Sequence, residues 1–241
     1  MRISIVVPAF NEERILGETL HWIQSLYLAF LWRRWAIELI VCDNNSTDRT
    51  PDVARSEGAT VVFEPINQIA RARNRGARAA TGDWLIFVDA DSRPSAGLFE
   101  AVAGQIESGA CVGGGATVSM DTTSSAAHAA LYLWNLLSRS LHLVAGAFVF
   151  CQTSAFWEIG GFSNELFVCE DIDISLRLNR LAQAHGKRIE ILERYPIVTS
   201  PRKLHLYTTG EYFCFVAKML LSRGKSLKDQ RACFGWYDGR R

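Results

Sequence analysis

The sequence predicts an α/β fold of the Rossmann-like type, with a mainly parallel central sheet and helices on both faces. Four short segments in the first hundred residues are continuous apolar runs. Such runs are typical of strands that are buried on both faces of a parallel sheet. Segments with helical spacing of apolar residues lie between them, and regular strand–helix alternation is the pattern of α/β folds.

The predicted strands of the first half are apolar, often β-branched, and three of them end in polar or acidic residues. They are ISIVVPAF at 3–10, IELIVCDNN at 37–45, ATVVFE at 59–64 and WLIFVDAD at 84–91. The helices predicted between them have apolar residues at helical spacing, or begin with residues that favour helix N-caps. They cover 12–33, 46–57 and 69–80.

The second half of the sequence is less regular. It predicts a helical, aromatic stretch at about 125–143, then a strand, a short helix and a tight glycine turn within 145–162. The segment 170–186 begins with acids and ends in glycine, which is typical of a helix, and 188–193 predicts a last strand. Because no linker rich in Pro, Gly or Ser divides the chain, we expect one domain at 1–207, followed by a helical C-terminal extension at 208–241.

The composition excludes several classes of protein. The 241 residues carry a net charge of +1, so no bulk electrostatic argument favours a nucleic-acid partner. No two of the six cysteines have CxxC spacing, which argues against a zinc site, while a structural disulfide stays open. The most apolar stretch, 126–150, is interrupted by Asn135, Arg139 and His142. We therefore expect a soluble, cytoplasmic protein, with peripheral membrane contact left open.

Polar residues gather where the predicted strands end. They are Pro8, Asn11 and Glu12 after the first strand, Asp43 after the second, and Asp89 and Asp91 after the last. Ligands of open α/β sheets bind beyond these strand ends. Neither of the usual glycine-rich phosphate loops is present. A nucleotide bound here would need another neutraliser, and Mg²⁺ or Mn²⁺ takes one or two carboxylates plus substrate phosphates.

Asp89 and Asp91 fit such a cation site, because residues i and i+2 of an extended segment project to the same face. The alternative is that Asp89 ends the strand and Asp91 caps the next helix. Asp43 also has two interpretations. It is either a turn or cap residue, or a carboxylate that accepts hydrogen bonds from a base or ribose.

Five stretches of the sequence, in this order, resemble the family-2 glycosyltransferases, enzymes of the GT-A type fold that transfer sugars from nucleotide-sugars. They are ISIVVPAFNEE, ELIVCDNNSTDRT, ARARNRGARAATGDWLIFVDADS, GGFSNELFVCEDIDISLRL and SPRKL, and they span about residues 1–205. Each stretch is weak alone, whereas five in order are specific. The resemblance implies an inverting, metal-dependent transfer with Mn²⁺ or Mg²⁺. It also implies a nucleotide-sugar-binding half at 1–100 and an acceptor half at 101–207.

The resemblance implies roles for individual residues. The donor contacts that it implies are Pro8, Ala9, Asn11, Glu12, Asp43, Arg73, Asn74, Asp89, Arg202 and Lys203. Asp91 is the surer metal ligand, with Asp89 and His205 as further candidates. Asp171 matches the general base. Trp157 is assigned to the acceptor, and Glu170 either contacts acceptor hydroxyls or orients the loop.

Several of these residues have plainer interpretations. Arg202 and Lys203 are equally well a solvated basic pair, and a single histidine such as His205 is more often structural. Glu170 and Asp171 are also acids at a helix N-terminus, where the helix dipole favours them.

The sequence departs from the family pattern in two places. DNNS stands where DDGS is frequent, so Asn44 replaces an acid. The QxxRW motif of polymer-forming members is absent, which favours transfer of a single sugar. The alternatives are an inactive nucleotide-sugar-binding protein and a sugar nucleotidyltransferase.

The acceptor is left open between a lipid-linked compound, a glycan, a protein and a small molecule. The aromatic stretch 128–143 has two groups of interpretations. Packing in the core or in a homodimer is favoured, with an acceptor groove or lipid contact as the alternative.

Overall fold

A single eight-stranded sheet forms the centre of the protein. The computed structural model describes residues 1–200, 225–229 and 233. The strands are β1 Arg2–Ala9, β2 Ala36–Asp43, β3 Thr60–Phe63, β4 Trp84–Val88, β5 Ser92–Arg93, β6 Cys111–Met120, β7 Phe148–Gln152 and β8 Arg188–Thr199. Their order across the sheet is β3-β2-β1-β4-β7-β6-β8-β5.

The sheet is parallel in its first half and mixed in its second. Strands β3, β2, β1 and β4 pair in parallel, as do β6 and β8. Strand β7 is antiparallel to both β4 and β6, and β5 is antiparallel to β8. The connection 121–147 leaves β6 and enters β7 at the same edge of the sheet, so β7 has to run in the reverse direction. The predicted α/β fold with a central sheet is confirmed, and the antiparallel pairs all involve β5 or β7.

The helices cover both faces of the sheet. They are α1 Leu16–Ser25, α2 Leu28–Leu31, α3 Thr50–Ser56, α4 Ile69–Ala79, α5 Ala96–Ser108, α6 Ser125–Leu141, α7 Thr153–Glu158 and α8 Glu170–Ala184, with a 3₁₀ helix at Lys225–Lys228. On β4, Ile86 packs into one core with α1 and α5, while Phe87 packs into the other with α4, α7 and α8. Burial on both faces is the reason that the strand sequences are continuously apolar.

Two predicted helices differ from those observed. The chain predicted to form one helix at 12–33 forms α1 and α2, because the Leu26 and Tyr27 amides bond carbonyls only three residues earlier and tighten the turn. This turn lets Phe30 enter the core against Phe99. Helix α3 begins at Thr50, since the preceding residues form a hydrogen-bonded loop at the end of β2.

One glycine sets the distance between α4 and the sheet. A Cβ at Gly76 would lie 2.3 Å from a methyl carbon of Val6, so only glycine allows this close packing of α4 on β1. This packing matters for function because α4 carries Arg73 and Asn74.

The predicted extension at 208–241 falls mostly outside the described residues, so this domain division stays a prediction. Its described part contacts the main domain, since the Phe167 amide donates to the Leu227 carbonyl at 2.8 Å. Cys42, Cys111, Cys151 and Cys169 are free thiols. Among the helices of these ranges, none has the length and apolar character that crossing a bilayer requires.

Candidate active site

The parallel register of β1, β2 and β4 brings their carboxyl ends to one edge of the sheet. Ala9 pairs with Asp43 in the β1–β2 register, and β4 ends at Val88, directly before Asp89. Pro8 lies beyond the last β1–β4 pair, so its missing N–H costs no ladder bond to β4. The predicted donor segment, Asp43 and the first acid of DAD therefore share one edge.

The loop after β1 is fastened to the loop after β2. Asn11 has φ 52°, a left-handed conformation that asparagine tolerates. Its amide donates to Ser46 Oγ at 3.0 Å, and its side-chain oxygen accepts from the Thr47 amide at 2.8 Å. The amide of buried Glu12 donates to Thr50 Oγ1 at 2.8 Å. These hydrogen bonds join the two loops into one continuous surface at the end of β1 and β2.

Asp43 and Asn44 close the end of β2. Asp43 is buried, and its Oδ1 accepts from the Ser46 amide at 3.0 Å, which is the turn role that was one of its two interpretations. The Asn44 side chain donates to the Ile66 carbonyl at 2.6 Å and accepts from the Gln68 amide at 2.9 Å. An aspartate has no proton to give the Ile66 carbonyl when ionised, which explains the departure from the family's acid at this position.

A buried arginine occupies the centre of the candidate site. Arg73 Nη1 donates to Glu170 Oε1 at 2.6 Å, and Nη2 donates to Asp89 Oδ1 and to the Gly146 carbonyl, both at 2.9 Å. Its Cζ lies 5.1 Å from the ring centroid of Phe162. Burial alone would lower the pKa of Arg73, but the charges of Asp89 and Glu170 outweigh burial and raise it. Predicted as a donor contact, Arg73 is instead engaged with protein groups, which favours a positioning role.

The acids of the ED pair lie against this arginine. Cys169 has φ 65° and turns the chain into α8, so that Glu170 and Asp171 begin the helix. Asp171 Oδ2 accepts from the Gly146 amide at 3.0 Å. Burial raises the pKa of Asp171, whereas the Gly146 amide and Arg73 oppose that rise. Helix-dipole stabilisation alone does not account for two acids that are bonded to Arg73 and to Gly146.

Glu170 has a pKa near neutrality. Burial raises it to about 7, the charge of Arg73 opposes the rise, and the charge of Asp171 adds to it. In an unfolded chain the pKa of glutamate is about 4.3. The folded state therefore binds the proton more tightly, and the two states differ in bound protons between about pH 4.5 and about pH 7.

We expect the free energy of unfolding to fall as the pH rises through this window, because ionisation of Glu170 is easier in the unfolded chain. In Glu170→Gln the fall should be smaller. Urea unfolding at several pH values between about 5 and about 8 measures both slopes. The control is Glu165→Gln, since that exposed carboxylate has its pKa lowered by Lys228 and cannot produce such a fall. Equal slopes in wild type and Glu170→Gln would contradict the assignment.

Gly146 was not identified by sequence reasoning. It precedes β7, its amide bonds Asp171 and its carbonyl accepts from Arg73. A Cβ at this position would lie 3.0 Å from Arg73 Nη2 and 3.4 Å from Asp171 Oδ2. The only sequence signal was a glycine between two alanines directly before an apolar strand.

Gly146→Ala is expected to destabilise the protein by about 1–3 kcal/mol, because the added methyl crowds the Arg73 guanidinium. Gly104→Ala is the matched control. It lies within α5, where a Cβ would meet nothing within 4 Å, so a gain of about 0.5–1 kcal/mol is expected. Urea unfolding measures both, and the same sign of change at the two glycines would refute the crowding at Gly146.

Asp91 does not cap the helix that follows DAD. Ser95 is the N-cap of α5, and its Oγ accepts from the Leu98 amide at 3.1 Å. Asp89 and Asp91 are both partly exposed, while Ala90 between them is buried. This excludes the capping interpretation of Asp91 and leaves a partly exposed acidic pair at the end of β4.

The remaining metal and diphosphate candidates follow directly after Ser200, whose amide donates to the Asp91 carbonyl at 3.2 Å. Arg202, Lys203 and His205 themselves lie outside the described residues and stay predictions. Within the part of the chain that the structure describes, no three His, Cys, Asp or Glu side chains form a group that could hold a metal ion. Metal binding by Asp89 and Asp91 therefore also stays a prediction.

Asn74 and Trp157 have other surroundings than those expected of ligand contacts. Buried Asn74 donates to the Phe162 carbonyl at 2.8 Å and accepts from the Phe162 amide at 2.9 Å, so it holds the Gly-Gly turn.

Trp157 lies on α7, whose first residue, Thr153, bonds Asp83 before the start of β4. Its ring contacts Arg78 near the end of α4, and no described contact joins it to the buried acids. The structure does not bring Trp157 to the candidate site, which is a correction to its acceptor assignment.

Residues 4–160, more than half of the chain, match the model of the family described as glycosyl transferase family 2. The chain belongs to glycosyl transferase family 2. This confirms the family predicted from the sequence and, with it, the class of enzyme that the family comprises. The metal, the base and the stereochemistry of transfer stay predictions.

Individual relatives agree with this assignment. An uncharacterized glycosyltransferase of Mycobacterium tuberculosis (strain ATCC 25618 / H37Rv) is 35% identical over 108 residues, which are 45% of this chain and 45% of that protein. The chain thus spans about half the length of the curated mycobacterial relatives that it matches.

Solved structures of known enzymes share the fold. The mannosyltransferase PcManGT from Pyrobaculum calidifontis, in complex with GDP-Man and Mn²⁺, has a TM-score of 0.65 at 21% identity, covering 96% of this chain and 64% of that one. Glucosyl-3-phosphoglycerate synthase from Mycobacterium tuberculosis, in complex with Mn²⁺, UDP and phosphoglyceric acid, has a TM-score of 0.59 at 20% identity, covering 92% and 78%. These similarities confirm the predicted GT-A fold.

Proposed function

We propose that this chain transfers a single sugar from a nucleoside-diphosphate sugar to an acceptor hydroxyl or phosphate, with inversion at the anomeric carbon. The observation that carries the proposal is buried Arg73, which bonds Asp89 at the end of β4 and Glu170 at the start of α8. Arg73 also donates to the Gly146 carbonyl, and the Gly146 amide bonds Asp171, so the acid at the end of β4 and the proposed base belong to one network. Membership of glycosyl transferase family 2 supports the same reaction class.

The donor is assigned to the edge formed by β1 and β2. Pro8, Ala9, Asn11 and Glu12 would line the nucleoside side, and buried Asp43 would accept hydrogen bonds from the base or ribose. Structures of proteins with the same fold in complex with GDP-Man and with UDP support a nucleotide-sugar as the donor. Arg202 and Lys203 are proposed for the diphosphate, because basic side chains pair well with phosphate oxygens.

Mn²⁺ or Mg²⁺ fits the acidic pair, since hard cations take one or two carboxylates together with substrate phosphates. Asp91 and Asp89 would hold the ion, with His205 as a third candidate. When bound, the ion stabilises the negative charge that develops on the leaving diphosphate. Relatives whose structures contain Mn²⁺ support this part of the proposal.

Asp171 is proposed as the general base. The acceptor oxygen attacks the anomeric carbon from the face opposite the diphosphate, an O–C bond forms, and the C–O bond to the diphosphate breaks. The bonding electrons leave with the diphosphate, and Asp171 takes the acceptor proton. Burial raises the pKa of Asp171, which strengthens it as a base, and the Gly146 amide fixes its orientation. Glu170 would help to orient Asp171 and Gly146, because it bonds Arg73, which in turn bonds the Gly146 carbonyl. Contact with the acceptor is the other role assigned to Glu170.

Donor binding and hydrolysis test the proposal. The protein is incubated with Mn²⁺ and a panel of UDP-, GDP- and dTDP-sugars, while calorimetry records binding and chromatography records nucleoside diphosphate release. We expect at least one donor to bind and to be slowly hydrolysed only when the cation is present. If no donor binds and none is hydrolysed across the panel, the proposal fails.

The same panel, extended with nucleoside triphosphates and sugar 1-phosphates, separates the alternatives. An inactive nucleotide-sugar-binding protein would bind a donor without any turnover. A sugar nucleotidyltransferase would instead release pyrophosphate from a nucleoside triphosphate and a sugar 1-phosphate.

A further inference from the structure

The helix α6 exposes a row of large apolar side chains. Its outer face, as we call this surface, consists of Tyr132, Leu133, Leu136, Leu137 and Leu141, which are between 41% and 69% exposed. Ser138 is the only buried residue among the 17 of this helix. The expectation of core packing therefore does not hold for the outer face, whereas homodimer packing, the other favoured interpretation, stays a prediction.

The helix has apolar side chains on both sides. On its inner side Leu131 and Trp134 pack against the core. The Asn135 side chain there accepts from the Val118 amide at 2.8 Å and donates to the Val118 carbonyl at 2.9 Å. At 3.6 residues per turn, the outer half of the helix presents the outer face together with alanines and two serines, and no charged residue. A helix that is apolar on its outward side is expected to bury that side against another molecule or a membrane.

The size of this face argues against a second copy of the chain as its cover. Seventeen residues make a helix about 25 Å long and about 10 Å wide. This area of about 250 Å² is well below the roughly 800 Å² per partner that a stable protein interface buries. A lipid surface has no such minimum, since insertion of a few apolar side chains is sufficient for peripheral binding.

The charges around α6 also suit a membrane. No Asp or Glu occurs from Thr122 to Trp157, whereas His128, Arg139 and His142 lie on or beside the helix. Arg139 pairs with Glu193 of β8, towards the flank of the helix. The outward surface therefore offers no repulsion to an anionic lipid headgroup layer.

The position of α6 links this surface to the candidate active site. The helix belongs to the connection 121–147, which begins and ends at the edge of the sheet where Asp89 lies. This connection ends at Gly146 and Ala147, and the Gly146 amide bonds Asp171. A surface in contact with α6 would lie near the acceptor side of the site.

We propose that α6 is a membrane-binding helix whose outer face inserts into the headgroup region of an anionic bilayer. The bound orientation holds the edge with Asp171 near the bilayer, where an acceptor attached to lipid would be presented. Membrane binding does not depend on the proposed chemistry, because it is measured without a donor.

Co-sedimentation with vesicles tests the proposal. Wild type is mixed with phosphatidylcholine vesicles that contain or lack phosphatidylglycerol, alongside Leu133→Gln/Leu137→Gln. We expect wild type to sediment with the anionic vesicles and the double variant to bind at least about tenfold more weakly, because two exposed leucines no longer insert. The matched control is Leu31→Gln/Trp32→Gln, which removes side chains that are 51% and 79% exposed near the amino end of β2. It should bind as wild type does.

Three kinds of result would overturn the proposal. The first concerns vesicle binding: either the wild type does not bind the vesicles, or the double variant and the control lose binding equally. The second is a dimer, detected by light scattering, that the Leu133→Gln/Leu137→Gln change dissociates. The third is a large loss of thermal stability in that variant, which would mean that the outer face packs against this chain itself.

Discussion

Asp171→Asn is expected to lower the rate of sugar transfer by about 10²- to 10⁴-fold, the usual contribution of a general base, while donor binding is retained. The asparagine oxygen still accepts from the Gly146 amide, so the connection before β7 keeps its position. The amide cannot take the acceptor proton, and it also gives up the bond that Asp171 Oδ1 accepts from the Ile172 amide at 2.9 Å. Steady-state kinetics gives the loss in kcat, and calorimetry gives the Kd for the donor.

The matched control for Asp171→Asn is Asp173→Asn on the same helical turn. Asp173 is partly exposed and pairs with Arg177, so its loss should change the rate by no more than about twofold. Equal losses in the two variants would show that the charge of the helix start, and not a base, was removed. A folded Asp171→Asn protein that no longer bound donor would reassign Asp171 to donor binding.

Arg73→Met is expected to cost about 3–5 kcal/mol of unfolding free energy, because it leaves the buried Glu170 carboxylate without its cation. Arg73 is 2% exposed and Glu170 is 7% exposed, so water cannot replace the lost bonds without rearrangement. Urea unfolding at neutral pH measures the loss. Transfer activity should fall as well, since Asp89 and Glu170 lose the group that positions them.

Two further variants make the Arg73 result specific. Arg75→Met removes an exposed arginine of the same helix and should change stability by less than about 0.5 kcal/mol. Arg73→Met/Glu170→Gln should recover part of the loss, because the unpaired carboxylate is gone. The network would be refuted as a stabilising element if Arg73→Met were no worse than Arg75→Met, or if the double variant recovered nothing.

The edge of the sheet was predictable because its geometry follows from local patterns. Continuous apolar runs identified β1, β2 and β4, and parallel strands place their carboxyl ends together, so Asp43 and Asp89 were expected at the same edge of the sheet. The resemblance to the family then identified Glu170 and Asp171 as further candidate site residues. The interpretation of Asp91 as a helix cap could be weighed only when the structure identified Ser95 in that role.

The connections across the candidate site were not predictable. Arg73 meets Glu170 at a separation of 97 residues and the Gly146 carbonyl at 73. The periodicity of apolar residues in a sequence does not indicate contacts between residues so far apart. The same limit produced the error for Trp157, since a motif does not tell on which edge of the sheet α7 lies.

The sequence by itself determined the α/β class, the acidic strand end at Asp89 and Asp91, and the family, because these depend on short-range patterns and on ordered motifs. Only the tertiary structure decided that Arg73 and Asn74 are buried in contacts with the protein, that Gly146 orients Asp171, and that the apolar face of α6 is exposed. The physical reason is that burial and partner choice depend on which distant segments meet. A leucine on α6 has the same pattern whether it faces a core or the outside of the molecule.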